Sequence, residues 1–142
     1  MNTVDLPRES VELDLPDSRP PTAALMGLAA GMAAEAGDDR LVDVQVVAAQ
    51  LVDNTYRHAR APRRLRMCRL PDRDLVRIEV GDGSPSRLPV LGRLAAPEHG
   101  RGLLVVNRLS VNWGHGRDAD RKTVWAEVRL VCAATWPTTA TG

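Results

Sequence analysis

Gln50-Leu51-Val52-Asp53-Asn54-Thr55-Tyr56-Arg57-His58 is the second half of a helix that the residue pattern predicts over about Arg40 to Arg60, with Pro62 beyond its end. Val44, Val47, Ala48, Leu51 and Thr55 recur at helical spacing and form its buried stripe. Gln50, Asn54, Arg57 and His58 share one polar face, because residues three and four apart lie one above the other on a helix. A solvated polar stripe is the ordinary reading of such a face. Asn54 is the exception on it, since an asparagine side chain competes for backbone hydrogen bonds and disfavours a helix interior.

Downstream of this helix, Leu65 to Leu70 and Leu75 to Val80 read as two strands joined by Pro71-Asp72-Arg73-Asp74 as a hairpin turn. Upstream, Ser10 to Leu15 alternates as an exposed strand should. Asp17-Ser18 and Pro20-Pro21 then announce a helix over Thr22 to Ala36, ended by Gly37, with Asp38-Asp39 capping the next. Pro85, Pro89, Gly92 and Pro97 interrupt any period between Ser84 and Gly100. A short apolar helix over Leu103 to Leu109 follows Gly102, then strands over Val111 to Trp113 and Thr123 to Val131, with Gly114 to Asp120 as the loop between. The order β-α-α-β-β-α-β-β predicts an α+β two-layer sandwich, a mixed and mostly antiparallel sheet with helices on one face. It does not suit a Rossmann fold, which alternates strands with crossover helices.

The chain has 142 residues, enough for one domain with a real core. Residues 10–131 are expected to form that single domain, between a loose N-terminus (1–9) and a Thr/Pro-rich tail (132–142). Basic residues (19) and acidic ones (18) nearly cancel, which argues against a dedicated nucleic-acid binder. No apolar run approaches the ~20 residues that span a bilayer, and no signal peptide is read. Cys68 and Cys132 are expected to be free buried thiols of a cytoplasmic protein. No histidine and cysteine spacing suits zinc.

Two further motifs carry chemistry. Gly81-Asp82-Gly83-Ser84-Pro85 closes the strand ending at Val80; Asp-Gly is most often a hairpin turn, but no second strand follows at once. Gly100-Arg101-Gly102 precedes the helix led by Leu103; glycines there either give a pliable start or let backbone amides and the helix's positive end hold phosphate.

Gln50 to His58, in order with these two motifs, resembles the N-box of the GHKL-type (Bergerat fold) ATPases, the group that includes gyrase, sensor histidine kinases and mismatch-repair ATPases. Its nearest resemblance is to the small anti-sigma-factor serine kinases and their actinobacterial relatives. The resemblance covers about residues 10 to 131. It implies that Asn54 binds Mg²⁺ bridging the ATP phosphates, that His58 lies near the nucleotide, and that Asp82 accepts a hydrogen bond from the adenine amine. Gly83 then lets the backbone approach the base, and Gly100, Arg101, Gly102 and Leu103 form the second glycine box, behind a lid of irregular residues. Thr123, in Lys122-Thr123-Val124-Trp125, completes the base pocket by the same resemblance, although a threonine also simply suits a strand. Implied partners are a sigma factor and a STAS-type anti-anti-sigma protein whose serine is phosphorylated; association into a homodimer and ADP against ATP preference stay open.

Two positions depart from the family's pattern. Where its kinases carry a catalytic Glu as general base, this chain has Gln50, whose amide orients a hydroxyl but cannot take its proton. Glu98-His99 stand where a basic residue often precedes the first glycine. A pseudo-kinase that binds proteins without phosphoryl transfer is therefore the rival reading. A third idea uses the cluster Arg57, Arg60, Arg63, Arg64, Arg66 and Arg69 on nucleic acid, against the plainer reading of a solvated surface near a helix C-terminus.

Overall fold

The structure, a computed structural model, describes residues 9–33, 38–70, 73–83, 97–118 and 121–130. Its elements are β1 (Glu9–Leu15), α1 (Thr22–Met32), α2 (Asp38–His58), β2 (Arg63–Leu70), β3 (Leu75–Asp82), α3 (Pro97–Leu109), β4 (Asn112–Asp118) and β5 (Arg121–Arg129). They form an α+β fold with one five-stranded sheet in the order β1-β2-β3-β5-β4. The expected mixed sheet is corrected: every neighbouring pair is antiparallel. β3 and β4 do run in the same direction, linked through α3, but β5 inserts between them, so the two never pair.

Cross-strand partners share a face of the sheet, which sorts its residues into two sets. Leu65 and Met67 of β2, Val76, Ile78 and Val80 of β3, and Val124, Ala126 and Val128 of β5 all turn to one side and are buried. Helices cover that side. α2 contributes Val44, Val47, Ala48 and Leu51, the stripe read from the sequence, and α1 adds Leu25 and Ala29. Gln45 ties the two helices by donating from Nε2 to the Met26 carbonyl at 3.2 Å.

The other side is charged. Arg66 meets Glu79 at 3.7 Å, and Arg77 bridges Glu79 (2.6 Å) and Glu127 (2.9 Å) while its guanidinium stacks 4.2 Å from the Trp125 ring. Burial disfavours the Arg77 charge, yet the hydrogen bonds to Glu79 and Glu127 outweigh it and raise the guanidinium pKa. Cys68 lies buried on this side as a free thiol, its Sγ 3.6 Å from Ser10 Oγ.

Element bounds differ from expectation in instructive places. α1 ends at Met32 rather than Ala36, and α2 starts at Asp38, so Asp38-Asp39 open the helix instead of preceding it. α3 begins at Pro97 rather than Leu103; proline is well placed in a first turn, where its missing N–H is not needed. The loop expected over Gly114 to Asp120 is strand as far as Asp118. Gly114 marks a close approach there: a Cβ on it would come within 2.9 Å of Trp125 Cζ2. At the β2–β3 turn Asp74 takes a positive φ of 55°, which aspartate tolerates better than most residues. The expected N-terminal extension through residue 8, Gly37, the lid over 84–96, Cys132 and the tail from 131 lie outside the described residues. No helix among the described residues is long and apolar enough to cross a membrane.

Tyr56 fastens the β1–α1 connection to α2. Its hydroxyl donates to the Pro16 carbonyl and, at 3.3 Å, to that of Arg19, while Arg63 covers its ring at 4.6 Å. Burial raises its pKa; the Arg63 charge opposes this and Asp17 adds to it. A phenol raised in the folded protein adds stability below the unfolded value of ~10, and that stability is lost as pH climbs through the folded value. Tyr56 is the only tyrosine, so tyrosinate absorbance titrates this one group. Its midpoint is expected above that of the urea-unfolded chain; coincident midpoints would contradict the anchoring.

Candidate functional site

Asp82 is the last residue of β3, and its carboxylate turns toward the helices with Val80 and Ile78. A carboxylate in that layer needs partners, since a lone buried charge is costly. Thr55 of α2 donates from Oγ1 to Oδ2 at 3.5 Å, and Lys122 Nζ lies 3.8 Å from the same oxygen. Asp82 and Lys122 are 3% and 2% exposed, so this is a buried ion pair. The helix residue beside Thr55 is Asn54, which is partly exposed, with Gln50 one turn before it and His58 one turn after. The Asn54 and Asp82 motifs are thereby brought to one place, where the C-terminal half of α2 crosses the end of β3.

Gly83 follows Asp82 and is held by its N–H donating to the Arg60 carbonyl at 3.0 Å. A Cβ here would lie 2.9 Å from the Ala61 carbonyl oxygen and 3.2 Å from Pro62 Cδ. A close approach that demands glycine is therefore to the α2–β2 connection. Gly100, Arg101 and Gly102 lie within the first turns of α3, not ahead of it. Amides at a helix start lack intrahelical acceptors, so this end keeps donors of the kind phosphate takes. Leu103 is buried, and α3 packs against α2, which puts the glycine motif's helix beside that of Asn54.

Thr123 is not brought to Asp82. It pairs with Gly81 and Gly116, one step out of register with the carboxylate, and so faces the other side of the sheet. Lys122 takes the place beside Asp82. The sequence carried one signal for it: this is the only lysine among 19 basic residues.

Arg57, Arg63, Arg64 and Arg66 of the proposed basic cluster have partners of their own. Arg63 caps the end of α2, donating to the carbonyls of Thr55 (3.2 Å) and Ala59 (2.8 Å). Arg64 meets Asp14 at 3.0 Å and Glu12 at 3.4 Å, and Arg57 meets Asp53 at 2.8 Å. A small cavity of about 110 Å³ near the end of β3 is lined by Asp14, Pro62, Arg63, Arg64 and Gly81 to Gly83.

A carboxylate can accept a hydrogen bond from an amine, and one oxygen of Asp82, Oδ2, already faces the Lys122 ammonium at 3.8 Å. Asn54 offers the hard amide oxygen that Mg²⁺ accepts. Among the described residues no group of three or more His, Cys, Asp or Glu is placed to hold a metal. No family model matches this chain, and no curated protein matches its sequence.

Proposed function

We propose that the chain is a cytoplasmic, ATP-binding regulator of the GHKL type, resembling anti-sigma-factor serine kinases. It controls a sigma factor by protein contact and acts on a STAS-type anti-anti-sigma partner. The observation that carries this reading is the meeting of α2 and β3 at Thr55 and Asp82, with Asn54 adjacent and α3 packed alongside. Those three elements hold the three motifs that carry the resemblance. Bound ATP would supply the transferable phosphoryl group. Asn54 would hold its Mg²⁺, the start of α3 its phosphates, and Asp82 its base.

In such a transfer the serine oxygen attacks the terminal phosphorus, ADP leaves, and the serine proton passes to a base. Positioning and charge neutralisation do most of that work. Gln50 stands where the base is needed and cannot hold the proton, a deficit worth about 10²–10⁴ in rate. The second reading, a pseudo-kinase that binds proteins with weak or no nucleotide, is favoured by Gln50 and by the buried Asp82–Lys122 pair.

Calorimetry with ATP and Mg²⁺ tests the first reading. Binding is expected, with Asn54→Ala about tenfold weaker or worse. With a candidate anti-anti-sigma protein and labelled ATP, the native chain should transfer slowly and Gln50→Glu faster. An absence of binding would leave the pseudo-kinase reading, and brisk transfer by the native chain would defeat the assignment at Gln50.

A further inference from the structure

We propose that Lys122 is an internal competitor for the nucleotide base: its ammonium holds Asp82 Oδ2 and gives way when a base amine takes that oxygen. This rests on the nucleotide-binding reading above and adds a means of regulating that site. Three observations carry it. The β3–β5 register sets Lys122 directly opposite Asp82, on the helix-covered face. Nζ lies 3.8 Å from Oδ2, the oxygen that also receives Thr55 Oγ1. Both members of the pair are almost wholly buried, at 3% and 2% exposure, so the ammonium sits where an incoming donor to Oδ2 would have to come.

The residue type suits a group that moves. An ammonium is a compact, strongly hydrated charge on a flexible stem, whereas a guanidinium fork binds a carboxylate through two bonds and is harder to dislodge. This one lysine occupies the one buried carboxylate at the candidate site, in a chain whose other cationic side chains are arginines or histidines. Lys122 is also the second residue of β5, near the end of its strand. Release into water recovers hydration of the ammonium, and the incoming amine supplies Asp82 with a replacement donor. Affinity for nucleotide is then set partly by the ion pair that has to open.

The single lysine makes the test direct. In protein grown on lysine labelled with ¹³C at the ε carbon, one side-chain signal reports Lys122. Addition of ATP and Mg²⁺ should move that signal toward its position in the urea-unfolded chain, saturating together with the heat of binding. Heat of binding with an unmoved lysine signal would overturn the inference while leaving the nucleotide reading intact. In parallel, Lys122→Met should bind ATP at least about tenfold more tightly than the native chain. Equal affinities would again overturn the inference alone. If neither protein binds ATP, the inference and the nucleotide reading fall together. The native-protein signal decides the matter even if Lys122→Met does not fold.

Discussion

Lys122→Met is expected to cost about 3–5 kcal/mol of folding stability, measured as a drop in the urea midpoint, because it leaves the Asp82 carboxylate buried without its cation. Thr55 Oγ1 still donates at 3.5 Å, but a neutral donor at that distance is a weak substitute for a charge. Against a typical total of about 5–15 kcal/mol, such a loss brings the chain close to the edge of folding. The double variant Lys122→Met with Asp82→Asn should recover most of it, since exchanging both ions for neutral groups removes the uncompensated charge. Recovery distinguishes the ion pair from plain loss of packing by the lysine stem. If the single and double variants were equally unstable, the pair would not be what holds this corner together. Saturating ATP should also stabilise Lys122→Met more than the native chain, in proportion to its tighter binding.

Ile78→Ala is expected to cost about 2–5 kcal/mol, the range for emptying a fully buried aliphatic position. Ile78 lies at the middle of the central strand, between Met67 on β2 and Ala126 on β5, in the core cluster that the helices complete. Its sequence neighbour is the contrast. Glu79 points to the other side, where it meets Arg66 at 3.7 Å and Arg77 at 2.6 Å in partial contact with water. Glu79→Ala should cost about 1 kcal/mol, because ion pairs that keep contact with water gain little over hydrated charges. Urea unfolding of the two variants therefore measures the asymmetry of the sheet. Comparable losses would mean that the charged face contributes to stability as much as the apolar one.

Much of this architecture is legible along the chain because it depends on periodicity. Val44, Val47, Ala48 and Leu51 show a helical repeat, and each is buried in the core. The alternation of Val76, Ile78 and Val80 shows a strand with one apolar face, and that face is the one packed under helices. Where glycine and proline interrupt the pattern, local reading stops too soon. Gly114 looks like a loop residue, yet its lack of a side chain accommodates the ring of Trp125 from the neighbouring strand. Pro97, Gly100 and Gly102 look like breakers, yet they occupy the first turns of α3.

The candidate site divides in the same way. Asn54 and Asp82 are recognisable from the residues around them, and α2 and β3 do converge on Thr55 and Asp82. The partner of Asp82 is not recognisable in this way. Lys122 and Thr123 are adjacent, and a one-residue change of register would exchange their faces. That register is fixed by β3 and β5 pairing some forty residues apart, with their apolar sides forced under the helices. Local side-chain pattern thus dictates which segments become helix or strand and which face is apolar. Long-range pairing alone puts a buried ammonium, instead of a threonine hydroxyl, against the carboxylate.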